Sequence, residues 1–296
     1  MSEPSLFART IERLRAILPQ RLRGDLPVVP VVRLTGTIGF STPLRPGLTL
    51  ASCARSLERA FSYRKAKAVA LVINSPGGSP VQSHLIFKRI RALAEEKKVP
   101  VIACVEDVAA SGGYMLACAA DEIVADASSI VGSIGVVGGS FGFNRLLDKV
   151  GVERRLYTSG EHKAMLDPFL PEKPEDVERL KTIQRQIHDL FIALVKGRRA
   201  GKLNGAEQDL FSGAFWTGAK AVEIGVVDRL GDLRSFLRER FGDKVVMPLV
   251  AAERGLLGRR TPGLGFAAEE AWGAAGLAQD AVSALEARAL WARYGL

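Results

Sequence analysis

The stretch AVALVINSPGGS, residues 68–79, is followed one helix later by VPVIACVEDVAASGGYMLACAADEIVAD, residues 99–126, and together they decide the fold. Residues 68–73 are continuously apolar and of strand length, the pattern of a strand covered on both faces. The glycine-rich loop 74–79 ends it. A helix is expected over 81–97, with Leu85, Ile86, Ile90, Leu93 and Ala94 on one side. Residues 99–105 repeat the buried-strand pattern. Ser111-Gly112-Gly113 opens a second helix over 114–120, and 123–125 reads as a third strand. Strand, helix, strand, helix, strand is the order of β–α–β units and of a mostly parallel sheet under helices.

Outward from this centre, residues 28–34 are β-branched and broken by Gly36 and Gly39, which predicts a strand. Residues 52–63 read as a helix with Ser52 as N-cap. Downstream, a proline-bearing break at 168–173 precedes a long amphipathic helix over 174–197, with Val177, Leu180, Ile183, Ile187, Leu190 and Leu194 in phase. Shorter helices are expected at 219–224, ended by Gly225, and at 234–241. Residues 5–18 form a basic amphipathic helix with Phe7, Ile11, Leu14 and Leu18 on one face. It reads either as a helix docked on its own protein or as one lying on anionic lipid. Beyond Arg254 a glycine-rich stretch leads into an Ala-rich helical tail. The expected organisation is an N-terminal helix (1–27), one α/β catalytic-size domain (28–245) and a flexible segment with a helical tail (246–296).

Composition narrows the function. The chain of 296 residues is 47% apolar and 25% charged, enough to bury a core. Its net charge of +9 favours anionic partners such as a membrane surface or an acidic substrate. No nucleic-acid-binding motif accompanies that charge, and no nucleic-acid partner is expected. Cys53, Cys104 and Cys118 are too scattered for a disulfide framework. The three histidines show no metal spacing, so neither metal nor cofactor is expected. No run is long and apolar enough to span a bilayer. Arg9, Arg13 and Arg15 interrupt any signal-peptide core. The expectation is a cytoplasmic protein, with peripheral contact to the membrane if the N-terminal helix binds lipid.

Two glycine-rich loops follow two adjacent buried strands, where open α/β sheets bind ligands. NSPGG fits neither a dinucleotide nor a phosphate loop. It offers backbone N–H groups unobstructed by side chains, as an oxyanion hole requires, and otherwise it is a plain tight turn. Ser111, at a strand-to-helix turn before two glycines, is either a nucleophile resembling that of an elbow or merely a helix N-cap. A serine nucleophile needs a base. His84 and His188 lie inside helix patterns, leaving His162 in a loop. The other choice is a lysine kept neutral by an apolar pocket. Lys163, in a polar turn running into Ala164-Met165-Leu166, is a candidate, although these arguments do not select it over other lysines.

VALVINSPGGS, VIACVEDVAASGGYMLACAADEIVADASSIVGSIGV and TSGEHKAMLDPF, together with Ser212-Gly213, Trp216-Thr217-Gly218 and Gly225-Val226-Val227-Asp228 downstream, closely resemble the signal peptide peptidase A (SppA) family of serine peptidases. The resemblance covers roughly residues 28–240. It implies a crotonase/Clp-peptidase-like fold of repeated ββα units. It also implies a serine endopeptidase with a Ser/Lys dyad cutting signal-peptide-like or membrane-derived peptides. Ser111 matches the nucleophile and Lys163 the general base, with the backbone N–H groups of Gly78 and Gly112 as oxyanion hole. A homo-oligomeric ring or dome is implied, with Lys163 serving its own chain or a neighbour. Two departures stand out. A basic helix replaces the membrane anchor of many members, and the chain is a single rather than a doubled unit. The competing readings are a crotonase-type acyl-CoA enzyme, which needs neither Ser111 nor Lys163, and a catalytically silent scaffold.

Overall fold

The computed structural model describes residues 26–39, 47–251, 285 and 287–296. The expected helix at 5–18 and most of the C-terminal segment lie outside them. In chain order the elements are β1 (Val31–Thr35), α1 (Leu50–Phe61), β2 (Val69–Ser75), α2 (Pro80–Lys97), β3 (Val101–Ala110), α3 (Gly112–Ala117), β4 (Glu122–Ala125) and β5 (Ile130–Gly132). There follow α4 (Asn144–Val150), α5 (Pro174–Arg198), α6 (Glu207–Leu210), β6 (Phe215–Thr217), α7 (Gly218–Glu223), β7 (Arg229–Leu230) and α8 (Leu233–Phe241). The strands β1-β2-β3-β4-β7 run parallel in that order, so the α/β expectation holds.

The apolar run of β2 is covered on both sides. Leu71 and Ile73 pack with Leu34, Ala103, Val105 and Ile123 under α1, α2 and α3. Ala70 and Val72 face the other way, with Ile102, Cys104 and Val124 against Phe236 and Leu237 of α8. Each such Leu, Ile or Val contributes about 1.5–3 kcal/mol by leaving water. Residues 246–250 complete this second face by hydrogen bonding alongside β1.

The strand expected at 99–105 is longer than its apolar run, because β3 serves two layers. Val101–Val105 lie between β2 and β4, whereas Val108, Ala109 and Ala110 pair with β5. Ile73 is paired with Val105 but Ser75 with Ala109, so two residues of β2 match four of β3. Such a bulge bends a strand out of its sheet, and Glu106-Asp107 occupy the bend. β5 carries the second layer on to β6, which runs antiparallel to it. β3 thus ends in a short continuation, paired with β5, before α3 begins.

Two sequence readings are corrected. Thr49, not Ser52, caps α1. Ser52 is the third helical residue, and the two side chains each accept from the other's N–H in a capping box. None of the six residues expected to form the apolar stripe of α5 is buried, and Leu190 is 72% exposed; the buried apolar residues are Phe191 and Val195, one position beyond Leu190 and Leu194.

Candidate active site

Ser111 follows the last residue of β3 and has φ +52° and ψ −120°, a conformation that L-residues adopt only under strain. Both its backbone groups are fixed: its N–H donates to the Gly132 carbonyl at 2.8 Å, and its carbonyl accepts from the Met115 N–H at 3.0 Å. It occupies the N-cap position of α3, but its side chain makes no capping hydrogen bond. Thr49, Ser79, Thr217 and Asp232 do cap their helices through side-chain oxygens. The positive φ therefore separates Ser111 from the ordinary caps of the same chain and leaves its Oγ uncommitted to the helix. Capping, the bland alternative for this residue, is not what its side chain does.

The NSPGG loop is packed against this turn. A Cβ on Gly77 would sit 2.8 Å from Ser111 Cβ and 2.9 Å from the Gly112 nitrogen, so the two loops touch only because Gly77 has no side chain. On Gly78 (φ +142°) a Cβ would sit 2.1 Å from the Ile38 carbonyl oxygen. Ser75 braces the loop by donating from Oγ to the Gly36 carbonyl at 2.6 Å and accepting from the Gly77 N–H at 3.2 Å. The N–H groups of Gly78 and Gly112 donate to no described residue. The structure thus gathers Ser111, Gly112 and Gly78 in two contacting loops, with backbone donors left over, as stabilising a developing oxyanion requires.

Lys163 stands apart. It is exposed, and its contacts are local: its N–H donates to the Gly160 carbonyl at 3.2 Å. Among the described residues, none forms around it the apolar pocket that a neutral lysine needs. No hydrogen bond joins any histidine to Ser111 among the described residues. His162 Nε2 lies 3.2 Å from the Arg179 guanidinium and accepts from it, since arginine only donates. His84 stacks on Phe87, and His188 Nε2 lies 3.0 Å from the Ile134 carbonyl oxygen. The cysteines offer no alternative nucleophile, because burial pushes the Cys53, Cys104 and Cys118 thiols up to about 12.

Sequence reasoning missed the groups that hold the nucleophile's helix. Tyr114, next after SGG, is fully buried and donates from its hydroxyl to the Val226 carbonyl at 2.9 Å. Two residues on, Asp228 accepts from buried Arg199, the C-cap of α5, at 2.7 Å, from Lys202 at 2.7 Å and from the Ile123 N–H at 2.7 Å. Burial pushes the Asp228 carboxyl up, but the hydrogen bonds from Arg199, Lys202 and Ile123 outweigh it and hold the group below the usual carboxylate range. Arg199 also donates twice to the Gly225 carbonyl. The Gly-Val-Val-Asp motif at 225–228 is thus the anchor joining α3, β4 and α5. Its signal was in the sequence, but its partners are 26 to 112 residues away.

The profile of peptidase family S49 matches residues 93–242, half of the chain. The chain belongs to peptidase family S49. The S49 match contains Ser111, Gly112 and Lys163 and begins beyond Gly78. Among relatives, the Na(+)/H(+) antiporter NhaA of Brucella abortus is 58% identical over 96% of this chain, which spans 39% of that protein's length. The chloroplastic serine protease SPPA of Arabidopsis thaliana is 34% identical over 72% of the chain and 32% of its own length. A Synechocystis protein is 33% identical over 68% of the chain and 73% of its own length. The antiporter name describes a protein of which this chain covers about two fifths. No helix among the described residues is long and apolar enough to cross a membrane.

Proposed function

We propose that this S49 chain is a serine endopeptidase using a Ser/Lys dyad. The observation that carries the reading is the strained turn at Ser111, whose hydroxyl is not spent on capping and which touches a loop with unused N–H donors. In this reading Ser111 Oγ attacks the scissile carbonyl carbon and passes its proton to the neutral Lys163 amine. The N–H groups of Gly78 and Gly112 bind the oxyanion. Collapse expels the amine product, which takes the proton from Lys163. Water, deprotonated by the same lysine, then attacks the acyl carbon, and the lysine returns that proton to Ser111 Oγ as the acid product leaves.

The exposure of Lys163 argues that a second copy of the chain supplies its pocket. The segment that precedes it, 137–157, presents Val137, Phe141, Leu146, Val150, Val152 and Tyr157 to solvent, with Phe141 80% and Tyr157 88% exposed. Exposed apolar area on that scale marks an association surface. A homo-oligomeric ring or dome would cover it while bringing Lys163 to Ser111 of a neighbour. The peptide has a natural seat as well. The N–H groups of residues 134–142, which continue from β5, donate to no described residue. A run of free donors takes up an extended peptide as an added strand. The substrates proposed are signal-peptide-like or membrane-derived peptides, met on the cytoplasmic face of a membrane that the 5–18 helix would touch peripherally.

Hydrolysis of an extended apolar peptide by the full chain, lost in Ser111→Ala, tests the activity. Mixing Ser111→Ala with Lys163→Ala tests the donor of the base. Activity regained in the mixture supports a lysine from the neighbour. Two inactive variants that stay inactive when co-assembled would place the dyad within one chain.

A further inference from the structure

Beyond the dyad and the oxyanion donors, one short backbone turn joins the nucleophile to the free-donor edge. Gly132 accepts the Ser111 N–H at 2.8 Å. The next residue, Ser133, is buried and has φ +55°, a positive φ that non-glycine residues rarely adopt. Its N–H donates to the Ala214 carbonyl at 2.6 Å. Ile134 follows, and from there the backbone donors of residues 134–142 are free of described partners. Residues 132–134 therefore transmit position in both directions, to the Ser111 backbone and to the edge.

Two side chains from remote parts of the sequence hold this turn. His188, on α5, lies with Nε2 3.0 Å from the Ile134 carbonyl oxygen, 54 residues away. A carbonyl only accepts, so Nε2 carries the proton and donates. Tyr294, near the C-terminus, donates from its hydroxyl to Ser133 Oγ at 3.2 Å. It is buried against Val108 and Ala110 of β3 and packs edge-on against Phe215 at 5.1 Å. Ile134 is buried in the same core cluster as Leu71 and Ile73 of β2, whereas Tyr294 belongs to a separate small cluster with Val108 and Ala110. Both contacts end on Ser133 and Ile134, the two residues that follow Gly132 and at which the free edge begins.

We infer that His188 is a positioning residue for peptide binding. By fixing the Ile134 carbonyl it holds the 132–134 turn in the one arrangement that presents the 134–142 edge in line with Ser111, and Tyr294 fixes the same turn from its other side. Its kinetic consequence rests on the serine-peptidase reading. Because the residue acts through backbone beside Ser111, and not on Oγ, its loss should weaken capture of a long peptide. It should leave the reaction of Ser111 with a small reagent nearly intact.

The test compares His188→Leu, which removes the donor, with His188→Gln, which retains one, and Tyr294→Phe, which removes only a hydroxyl. Three quantities are measured on the full chain: KM for an extended peptide, the rate of fluorophosphonate labelling at Ser111, and hydrogen exchange at residues 130–135. Loss of one buried hydrogen bond predicts a KM raised about fivefold to tenfold in His188→Leu. Labelling should stay within about twofold of wild type, and exchange at Ser133 should be faster. His188→Gln should regain most of the KM, and Tyr294→Phe should shift KM in the same direction as His188→Leu. The inference is overturned if KM is unchanged in His188→Leu, if KM and labelling worsen together, or if His188→Gln is as impaired as His188→Leu. Unchanged exchange at 130–135 in His188→Leu overturns it whatever the enzymology. A wild type that neither cleaves peptide nor labels would sink the peptidase reading instead, and faster exchange in His188→Leu would still uphold the holding role of His188.

Discussion

Replacing Ser111 by glycine should make the protein more stable than replacing it by alanine, the reverse of the usual order. Neither variant retains the hydroxyl, so the comparison isolates backbone strain. At φ +52° and ψ −120° a side chain is held in a sparsely populated region, at a cost on the order of 1–3 kcal/mol. Alanine keeps that strain and glycine releases it. Glycine in turn loses about 0.4–1 kcal/mol through the greater freedom of its unfolded chain. The difference leaves Ser111→Gly ahead of Ser111→Ala by about 1 kcal/mol, or about 2–4 °C in melting temperature for a domain of this size. Glu95, exposed within α2, supplies the control. There glycine should be the less stable of the pair by about 1 kcal/mol, as in any helix interior. Urea unfolding of the four variants, at one protein concentration, reads both differences. If Ser111→Gly falls below Ser111→Ala by the margin seen at Glu95, the turn is not strained and the argument separating Ser111 from an ordinary cap fails.

Lys163→Ala should reduce turnover as far as Ser111→Ala, on the order of 10⁴-fold or more, and the double variant should be hardly worse, because the two act as a unit. A Lys163→Ala enzyme retaining a tenth of the wild-type rate would require another base. The folded Asp228 carboxyl is held below its unfolded value, so its contribution to stability is complete above about pH 4 and is lost as pH falls through the lower folded value. Asp228→Asn should destabilise by about 3 kcal/mol at pH 7, leaving buried Arg199 without its anion, and its unfolding should depend less on pH in the acid range. An unchanged acid profile would remove Asp228 from the account. Phe141→Asp and Tyr157→Asp should give folded, inactive chains that sediment as smaller species than wild type, since the exposed segment is proposed to bury against a second copy. Deleting residues 1–24 should abolish salt-sensitive co-sedimentation with anionic vesicles while sparing cleavage of a soluble peptide. Equal sedimentation of the truncated chain would remove the lipid role.

What could be read from the residues was set by how local the physical signal is. The run 68–73 announces β2 because burial on both faces leaves no polar position to confuse it. The continuation of β3 past Val105 was hidden by Glu106 and Asp107, whose polarity looks like a strand end and is in fact the bend between two layers. β5, β6 and β7, of two or three residues each, fall below any periodicity and exist only through their ladder partners. In α5 the expected stripe is offset from the buried face: Phe191 and Val195 are buried, each one position beyond Leu190 and Leu194, and none of the six stripe residues is buried among the described residues. Ser111 stood out as a candidate because two glycines follow it at a strand-to-helix turn, whereas its φ, the decisive property, is visible only in three dimensions. Lys163 carries no local signature that separates it from other lysines and was reached through family resemblance. Ser133, His188 and Tyr294 gave no signal, since each owes its role to a contact 54 or 161 residues away.

The most direct test of the central claim is to map the site of a fluorophosphonate adduct on the assembled full-length protein by peptide mass spectrometry. The account predicts one adduct per chain, on Ser111, with peptide hydrolysis lost in proportion to labelling. Hydrolysis that persists after complete labelling, or an adduct on any other serine while Ser111 stays unmodified, would contradict it.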